Sequence, residues 1–290
     1  MTTLGIDIGG TSVKVARLSP GMEPATARSA AYTNPSADDI RGAIASAVSG
    51  VMRVDGSRAV ASDVTGVGLC APGRLDEDHR VVAAVNLPGL VGQRLTDLLP
   101  AEAAGAPNRV CADAEAAAVD VWIRWGLSGR LLAISLGTGV GACVLDDGVP
   151  LRVSGDSPGH FGQIDVGLLA FDAATPIGPD GGRGSLEAYI GWPALRRRFG
   201  DHGATLRLEP SDPALMALAR AIRIGHAVYR PHHVALLGGV GLAIAEPSIE
   251  ALSGLVSDQL TSLARSGWTL RRGETTFHAA LGAAWLASQK

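Results

Sequence analysis

LGIDIGGTSVKVARL, residues 4–18, contains two apolar runs on either side of a glycine-rich turn. The runs at residues 4–8 and 13–18 alternate as β-strands do, so the stretch predicts a β-hairpin with its bend at residues 9–12. Two adjacent glycines let a backbone approach a ligand closely and point amide groups at it. The bend is therefore either an ordinary hairpin turn or a cradle for a phosphate, with Asp7 facing an accompanying Mg2+.

The length and composition favour two globular domains. The chain has 290 residues, 47% of them hydrophobic, which is enough for one large core or two smaller ones. A net charge of −3 gives no indication of nucleic-acid or anionic-membrane binding. We interpret the arginine run at residues 196–198 as a solvated helix face.

The expected compartment is the cytoplasm. The N-terminus begins almost directly in a strand, so we expect no signal peptide, and no apolar run is long enough to span a bilayer. Cys70, Cys111 and Cys143 lie far apart in apolar runs. They are expected to be small buried residues in a reducing compartment.

The opening pattern recurs half a chain later. Apolar runs at residues 131–136 and 140–145 are joined through Gly137-Thr138-Gly139, which predicts a duplicated architecture. Two lobes that each offer one such turn could grip the phosphates of one nucleotide from both sides. A third glycine cluster, residues 238–241, stands between a predicted strand and a helix start, which suits an anion or an adenosine.

Apolar periodicity and turn residues outline the other elements. Predicted helices cover residues 36–51, 114–125, 215–222, 247–263 and 278–287. Predicted strands cover residues 64–70, 109–112, 164–169 and 234–237.

Two polar residues at element junctions each admit a structural and a functional interpretation. Asn86 precedes a Leu-Pro-Gly bend, and its amide suits a hydroxyl-rich ligand, but alone a turn-initiating Asn is preferred. Asp113 stands where a strand meets a helix, which favours an N-cap over a catalytic carboxylate when nothing else is considered.

Taken together, these residues resemble the ROK family of sugar kinases, within the sugar kinase/Hsp70/actin superfamily. The resemblance runs over nearly the whole chain. It rests on Asp7-Ile8-Gly9-Gly10-Thr11, Pro72-Gly73, Asn86-Leu87-Pro88-Gly89, Asp113, Leu136-Gly137-Thr138-Gly139, Gly238-Gly239 and Gly282-Ala283-Ala284. It implies an α/β fold of the two-lobed, actin-like ATPase (ribonuclease H-like) type, with a cleft between the lobes. The N-terminal lobe would hold residues 1–112 plus 276–290, and the C-terminal lobe residues 113–275.

The resemblance also implies an ATP-dependent, glucokinase-like sugar kinase that uses Mg2+. Asp113 matches the family's catalytic base, so in this context the base is preferred over the cap, and Asp113 can be both. The implied nucleotide-binding residues are Asp7, Gly9, Gly10, Thr11, Lys14, Gly137, Thr138, Gly139, Gly238, Gly239 and Val240. The implied substrate-binding residues are Gly73, Asn86, Asp113, His160 and Glu187. The implied partners are a sugar and ATP, without nucleic acid or membrane, and the family suggests a homodimer.

The chain departs from the family at its zinc site. Gln163 replaces the usual histidine ligand, and Gly178, Asp180 and Ser185 replace the three cysteines. These residues cannot form the closed nitrogen and sulfur site of structural zinc, so we predict no zinc. Three histidines close in sequence lack a Cys or carboxylate at ligand spacing, and we predict no metal there either: His226, His232 and His233.

Two further departures lie near the implied sugar site. His160 replaces a glutamate that binds sugar in the family. A neutral imidazole both donates and accepts, so the hydroxyl pattern that is recognised should differ, and a direct sugar contact is preferred over a polar loop residue. Glu115 places a second carboxylate near Asp113, which would raise the pKa of Asp113 if the two are close.

Three functions compete on this sequence. The first is a hexose kinase, and the second is a kinase for an N-acetylhexosamine such as N-acetylmannosamine, which the missing zinc ligands favour. The third is a non-catalytic sugar or nucleotide sensor. The family's repressors carry an N-terminal helix-turn-helix for which we expect no room before Leu4. Retention of Asp7, Thr11 and Asp113 argues against a sensor.

Overall fold

The computed structural model describes residues 1–52, 64–103, 108–152, 161–167, 175–179, 181–200, 205–261 and 266–289. The chain folds as two compact units. Unit 1 comprises Met1–Val121 and Phe277–Lys290, and unit 2 comprises Trp122–Thr276. The boundary expected from the sequence, after residue 112, lies before the observed boundary, after Val121, and falls at the start of a helix.

Strands and helices are interspersed along the described residues. The strands are β1 (Thr2–Ile8), β2 (Val13–Leu18), β3 (Ala25–Arg28), β4 (Val64–Ala71), β5 (Arg74–Leu75), β6 (Val81–Ala83), β7 (Asn108–Ala112), β8 (Arg130–Leu136), β9 (Val140–Asp146), β10 (Val149–Pro150), β11 (His233–Leu237) and β12 (Thr269–Arg272). The helices are α1 (Ala37–Met52), α2 (Asp113–Arg124), α3 (Leu186–Ile190), α4 (Trp192–Phe199), α5 (Pro213–Tyr229), α6 (Gly238–Ala243), α7 (Glu246–Ser257) and α8 (His278–Ser288).

The sheet of unit 1 has the order β3-β2-β1-β4-β7. The predicted hairpin is confirmed, with β1 antiparallel to β2 and Ile8 opposite Val13. Strands β4 and β7 continue the sheet parallel to β1. Alternate residues of β1 face opposite sides: Leu4, Ile6 and Ile8 join the core that α1 covers, and Gly5 faces α8. The two helices therefore cover opposite faces of the sheet.

Unit 2 repeats this plan. Its sheet has the order β10-β9-β8-β11-β12, with β8 antiparallel to β9 and parallel to β11. Aliphatic side chains of β8, β11, α5 and α7 form its core. The duplicated architecture predicted from the two glycine turns is confirmed by this matching strand order.

Two sequence predictions differ from the structure, and strand β12 was not predicted. Within residues 164–167 only Asp165 forms a bridge, to Ser185, so the predicted strand is wrong there, and residues 168–169 lie outside the described chain. Val166 is fully buried in the core of unit 2, so the apolar run reflects packing. Helix α7 ends at Ser257 rather than at residue 263, although Leu260 still packs on the core. Strand β12 was missed because arginines end this edge strand.

Other expectations from composition agree with the structure. Cys70, Cys111 and Cys143 are all buried. The arginines at residues 196–198 are exposed in the last turn of α4. Among the described residues, no helix has both the length and the hydropathy to cross a membrane.

His226 is a buried polar residue without a hydrogen-bond partner. Its side chain lies on α5, 1% exposed, and neither ring nitrogen has a partner in the described chain. The ring meets Trp268 edge-on, with centroids 4.8 Å apart. Burial lowers the pKa of His226, because the protein interior disfavours the charged imidazole.

We expect His226 to make unit 2 sensitive to acid. A histidine whose pKa is lowered on folding takes up its proton more readily when unfolded, so stability falls as pH drops below about 6.5. The His226→Leu variant should lose less stability than the wild type between pH 7 and pH 5, as measured by urea denaturation. His79→Asn, which removes an exposed histidine, is the control. Equal losses in the wild type and His226→Leu would contradict this assignment.

Candidate functional site

An ion pair stands at the carboxyl end of β1. Asp7 lies opposite Lys14 of β2 in the hairpin register, and Lys14 Nζ lies 2.8 Å from Asp7 Oδ2. The Lys14 side chain is only 18% exposed and the Asp7 side chain only 6%. The hairpin therefore holds one carboxylate and one ammonium group beside its bend.

The bend at residues 9–12 is fixed by three hydrogen bonds to its carbonyl groups. The Gly9 amide donates to the Ser12 carbonyl at 3.1 Å, and the Tyr32 amide donates to the Thr11 carbonyl at 2.9 Å. The Tyr32 hydroxyl donates to the Gly9 carbonyl at 2.5 Å. The amides of Gly10, Thr11 and Ser12 donate to no acceptor within the described chain. Successive unpaired amides of this kind form an anion-binding turn, which favours the phosphate cradle over the plain bend.

A row of residues crosses the sheet from Asp7 to the start of α2. Asp7 pairs with Cys70 of β4, and Cys70 pairs with Cys111 of β7. Asp113 follows as the first residue of α2. The carboxyl ends of parallel strands meet at one edge of a sheet, so this edge carries both Asp7 and Asp113.

Asp113 has an unusual carboxyl group. Burial, followed by the charge of Asp7, raises its pKa from 3.8 to about 6, and Lys14 acts in the opposite direction. The neighbouring carboxylate that acts on it is thus Asp7 rather than Glu115. Asp113 Oδ1 accepts from the amide of Ala114 at 2.8 Å. An N-cap side chain accepts instead from the second or third amide of its helix, so this hydrogen bond is not an N-cap bond. The carboxyl is accordingly set up to exchange a proton near neutral pH.

Cys70 lies between these carboxylates but is unreactive. Its thiol is fully buried and lies 3.6 Å from the Ile6 carbonyl oxygen. Burial, and then Asp7, raise the pKa of Cys70 well above its usual range. A thiol that stays protonated is a poor nucleophile, so Cys70 fills space at this edge.

Gly73 packs against the segment that leads into the turn at Asn86. Gly73 has φ +106°, and an added Cβ would lie 2.2 Å from the carbonyl oxygen of Ala83, so only glycine fits. Asn86 lies in a turn closed by the Leu87 amide and the Ala84 carbonyl, 3.3 Å apart. The Asn86 side chain forms no hydrogen bond within the described chain. It is therefore a turn residue whose amide remains available.

Unit 2 gathers its own predicted residues around the second glycine turn. The turn is closed by the Gly137 amide and the Gly139 carbonyl, 2.9 Å apart. Glu187, 8% exposed, accepts the Val140 amide through Oε2 at 2.7 Å. Gly238, with φ +76°, packs so tightly that a Cβ would lie 2.4 Å from the carbonyl oxygen of Leu136. Glu187 is thus tied to the turn, and α6 starts directly behind it.

Hydrogen bonds close the loop where relatives are expected to hold zinc. The Gly178 amide donates to the Gly182 carbonyl at 2.7 Å, and the Gly184 amide to the Pro176 carbonyl at 2.9 Å. Ser185 Oγ caps α3 by accepting the Ala188 amide at 3.2 Å. The described part of the chain contains no group of three or more His, Cys, Asp or Glu side chains suited to a metal. Asp180, and His160 of the predicted sugar site, lie outside the described residues.

Tyr32 is the residue that sequence reasoning missed. No motif marks it in the sequence. Its signal is faint: it is a single aromatic residue in a small, polar segment, in a chain with only 4% aromatic residues. The structure places its ring partly buried against the core of unit 1. Burial and Asp7 raise the pKa of Tyr32, so its hydroxyl keeps its proton and acts as a donor.

Comparison with known proteins settles the family. The sequence matches the ROK family over residues 3–290. The chain belongs to the ROK family. No match was found among curated protein sequences.

Several solved structures of ROK proteins share the fold. A glucokinase from Streptomyces griseus, in complex with glucose and AMPPNP, is 20% identical, with a TM-score of 0.71 and coverage of 100% of both chains. A putative N-acetylmannosamine kinase from Listeria monocytogenes is 17% identical, with a TM-score of 0.70 and coverage of 100% of this chain and 99% of that one. A transcriptional regulator described as a homologue of the E. coli MLC protein is 17% identical, with a TM-score of 0.71 and coverage of 99% and 78%. The predicted α/β, actin-like ATPase fold is confirmed.

Asp113 should cost the folded protein stability at neutral pH. A carboxyl whose pKa is raised on folding stabilises the fold below the unfolded pKa, and that contribution is lost as pH rises through about 6. The free energy of unfolding of Asp113→Asn, measured by urea denaturation at pH 7.5, should therefore exceed that of the wild type by about 1–3 kcal/mol. The difference should shrink to near zero by pH 4. A variant that is less stable than the wild type at pH 7.5 would count against a strained carboxyl.

Proposed function

We propose that this protein is an ATP-dependent kinase that phosphorylates a hexose or a hexose derivative, with Asp113 as the general base. The observation that most supports the proposal is the sheet edge of unit 1. There, a carboxyl with a pKa of about 6 shares one edge with an amide-rich turn and the Asp7–Lys14 pair. A base, a phosphate cradle and a carboxylate for a metal are the parts that phosphoryl transfer to an alcohol needs.

Asp113 would take the proton of the attacking hydroxyl. Its pKa of about 6 leaves it mostly ionised at pH 7 and more basic than an ordinary aspartate, and a base with a pKa near the working pH is the most effective. Its distance from Asp7 is fixed by strand pairing across β1, β4 and β7. The base therefore stands where strand β7 meets helix α2 rather than in a loop.

The turn at residues 9–12 would hold the phosphate donor. Its three unpaired amides can bind phosphate oxygens, and the Lys14 ammonium adds a positive charge at the same bend. The carboxylate of Asp7 is a ligand of the type that Mg2+ prefers. Magnesium, when bound, neutralises charge on the transferring phosphate. Gly137, Thr138, Gly139, Gly238, Gly239 and Val240 of unit 2 keep their predicted part in nucleotide binding.

The acceptor is proposed only as a class. Structures similar to this chain include a glucokinase in complex with glucose and a putative N-acetylmannosamine kinase, so hexoses and N-acetylhexosamines are the first candidates. The available amide of Asn86 and the carboxylate of Glu187 are the groups proposed to bind sugar hydroxyls. A regulator also shares the fold, which makes a non-catalytic sensor the alternative that an assay must test.

Release of ADP should reveal the activity. With Mg-ATP, at least one member of a panel of hexoses and N-acetylhexosamines should stimulate ADP release by the wild type. Asp113→Asn should lose nearly all turnover, by about 100-fold or more, because general-base catalysis is removed. Asp97→Asn, an exposed aspartate in unit 1, should keep full activity. If no sugar stimulates ADP release while ATP or a sugar still binds, the protein is a sensor.

A further inference from the structure

A short segment after β3 runs along the back of the turn at residues 9–12. Ser29 starts it: its amide donates to the Val13 carbonyl at 2.9 Å, and its Oγ accepts the Val13 amide at 3.0 Å. Tyr32 continues it with two bonds, one from its amide to the Thr11 carbonyl and one from its hydroxyl to the Gly9 carbonyl. The segment therefore fixes two carbonyl groups of the turn.

Fixing a carbonyl also fixes the next amide. The peptide unit is planar and trans, so the carbonyl of one residue and the N–H of the next point in opposite directions. The carbonyls of Gly9 and Thr11 point at Tyr32, so the amides of Gly10 and Ser12 point away from it. Those two amides donate to nothing within the described chain.

The segment from Ser29 to Pro35 is itself held in place. The Tyr32 ring packs against the core of unit 1, and Pro35 is buried. A Cβ on Gly89 would lie 2.2 Å from the Pro35 carbonyl oxygen, so the bend that follows Asn86 presses directly on this segment. Two carbonyls are thus tied to an anchored side chain and backbone, which limits rotation of the peptides in the turn.

We infer that Tyr32 is a positioning residue that aims the Gly10 and Ser12 amides at a phosphate group of the bound nucleotide. The nucleotide as ligand rests on the proposed function. Tyr32 touches neither phosphate nor sugar in this account. It acts by keeping the donors oriented before the ligand arrives, and preorganised donors bind charge without the cost of ordering themselves.

The test is the affinity of Tyr32→Phe for two ligands that differ in phosphate. We expect Mg-AMPPNP, measured by calorimetry, to bind about 3- to 10-fold more weakly to this variant than to the wild type, since one partly buried hydrogen bond that orients the donors is lost. Adenosine, measured by competition, should bind equally well. Tyr229→Phe is the matched control, because the Tyr229 hydroxyl has no hydrogen bond in the described chain.

Each outcome decides the inference. Unchanged affinity of Tyr32→Phe for Mg-AMPPNP would overturn it, and so would equal losses for Mg-AMPPNP and adenosine, because a general structural defect affects both ligands. Failure of the wild type to bind Mg-AMPPNP would overturn it as well. The readout is binding, so a wild type that binds Mg-AMPPNP through Tyr32 but phosphorylates no sugar would retain this inference and refute the kinase.

Discussion

The backbone of α8 lies directly against the sheet of unit 1, and much of the candidate site depends on this contact. A Cβ on Gly5 would lie 1.8 Å from the Ala280 carbonyl oxygen, and one on Gly68 would lie 2.0 Å from that of Ala283. Gly282 of α8 is equally close to α2, where the Ala116 carbonyl oxygen is 1.8 Å from the Cβ position. Helix α8 thereby joins the sheet to α2, whose first residue is Asp113. A larger residue at any of these glycines would move the helix that carries the proposed base.

The sheet edge that carries Asp7 and Asp113 holds an unfavourable arrangement of charges. Asp113 is desolvated and faces the charge of Asp7, with Lys14 as partial compensation. Such a site lowers stability at neutral pH, and functional sites commonly do so because reactivity needs groups that solvent does not satisfy. His226 in unit 2 is buried with neither ring nitrogen hydrogen-bonded among the described residues. The structure gives no physical reason for a histidine there.

Periodicity made most of the fold predictable from sequence, because hydrophobic burial sets it. The two hairpins, α1 and α5 follow from apolar residues at spacings of two or 3.6, whereas α2 and α8 are runs rich in alanine. The apolar pattern failed where a residue is buried but its segment does not pair as a strand, as at Val166. It also missed Tyr32, because a hydrogen bond from a side chain to a distant carbonyl leaves no period in the sequence. The raised pKa of Asp113 depends on Asp7, which is more than a hundred residues away and adjacent only through the sheet.

The pairing of Asp7 and Asp113 on one sheet edge is the central claim, and the pKa of Asp113 tests it most directly. Carboxyl carbon-13 NMR titration of the wild type should find Asp113 titrating near pH 6. In the Asp7→Asn variant the pKa should fall, because the neighbouring negative charge is gone, while desolvation still keeps it above the ordinary value of about 3.9. An Asp113 that titrates near 4 in the wild type, or that ignores the loss of Asp7, would contradict the account.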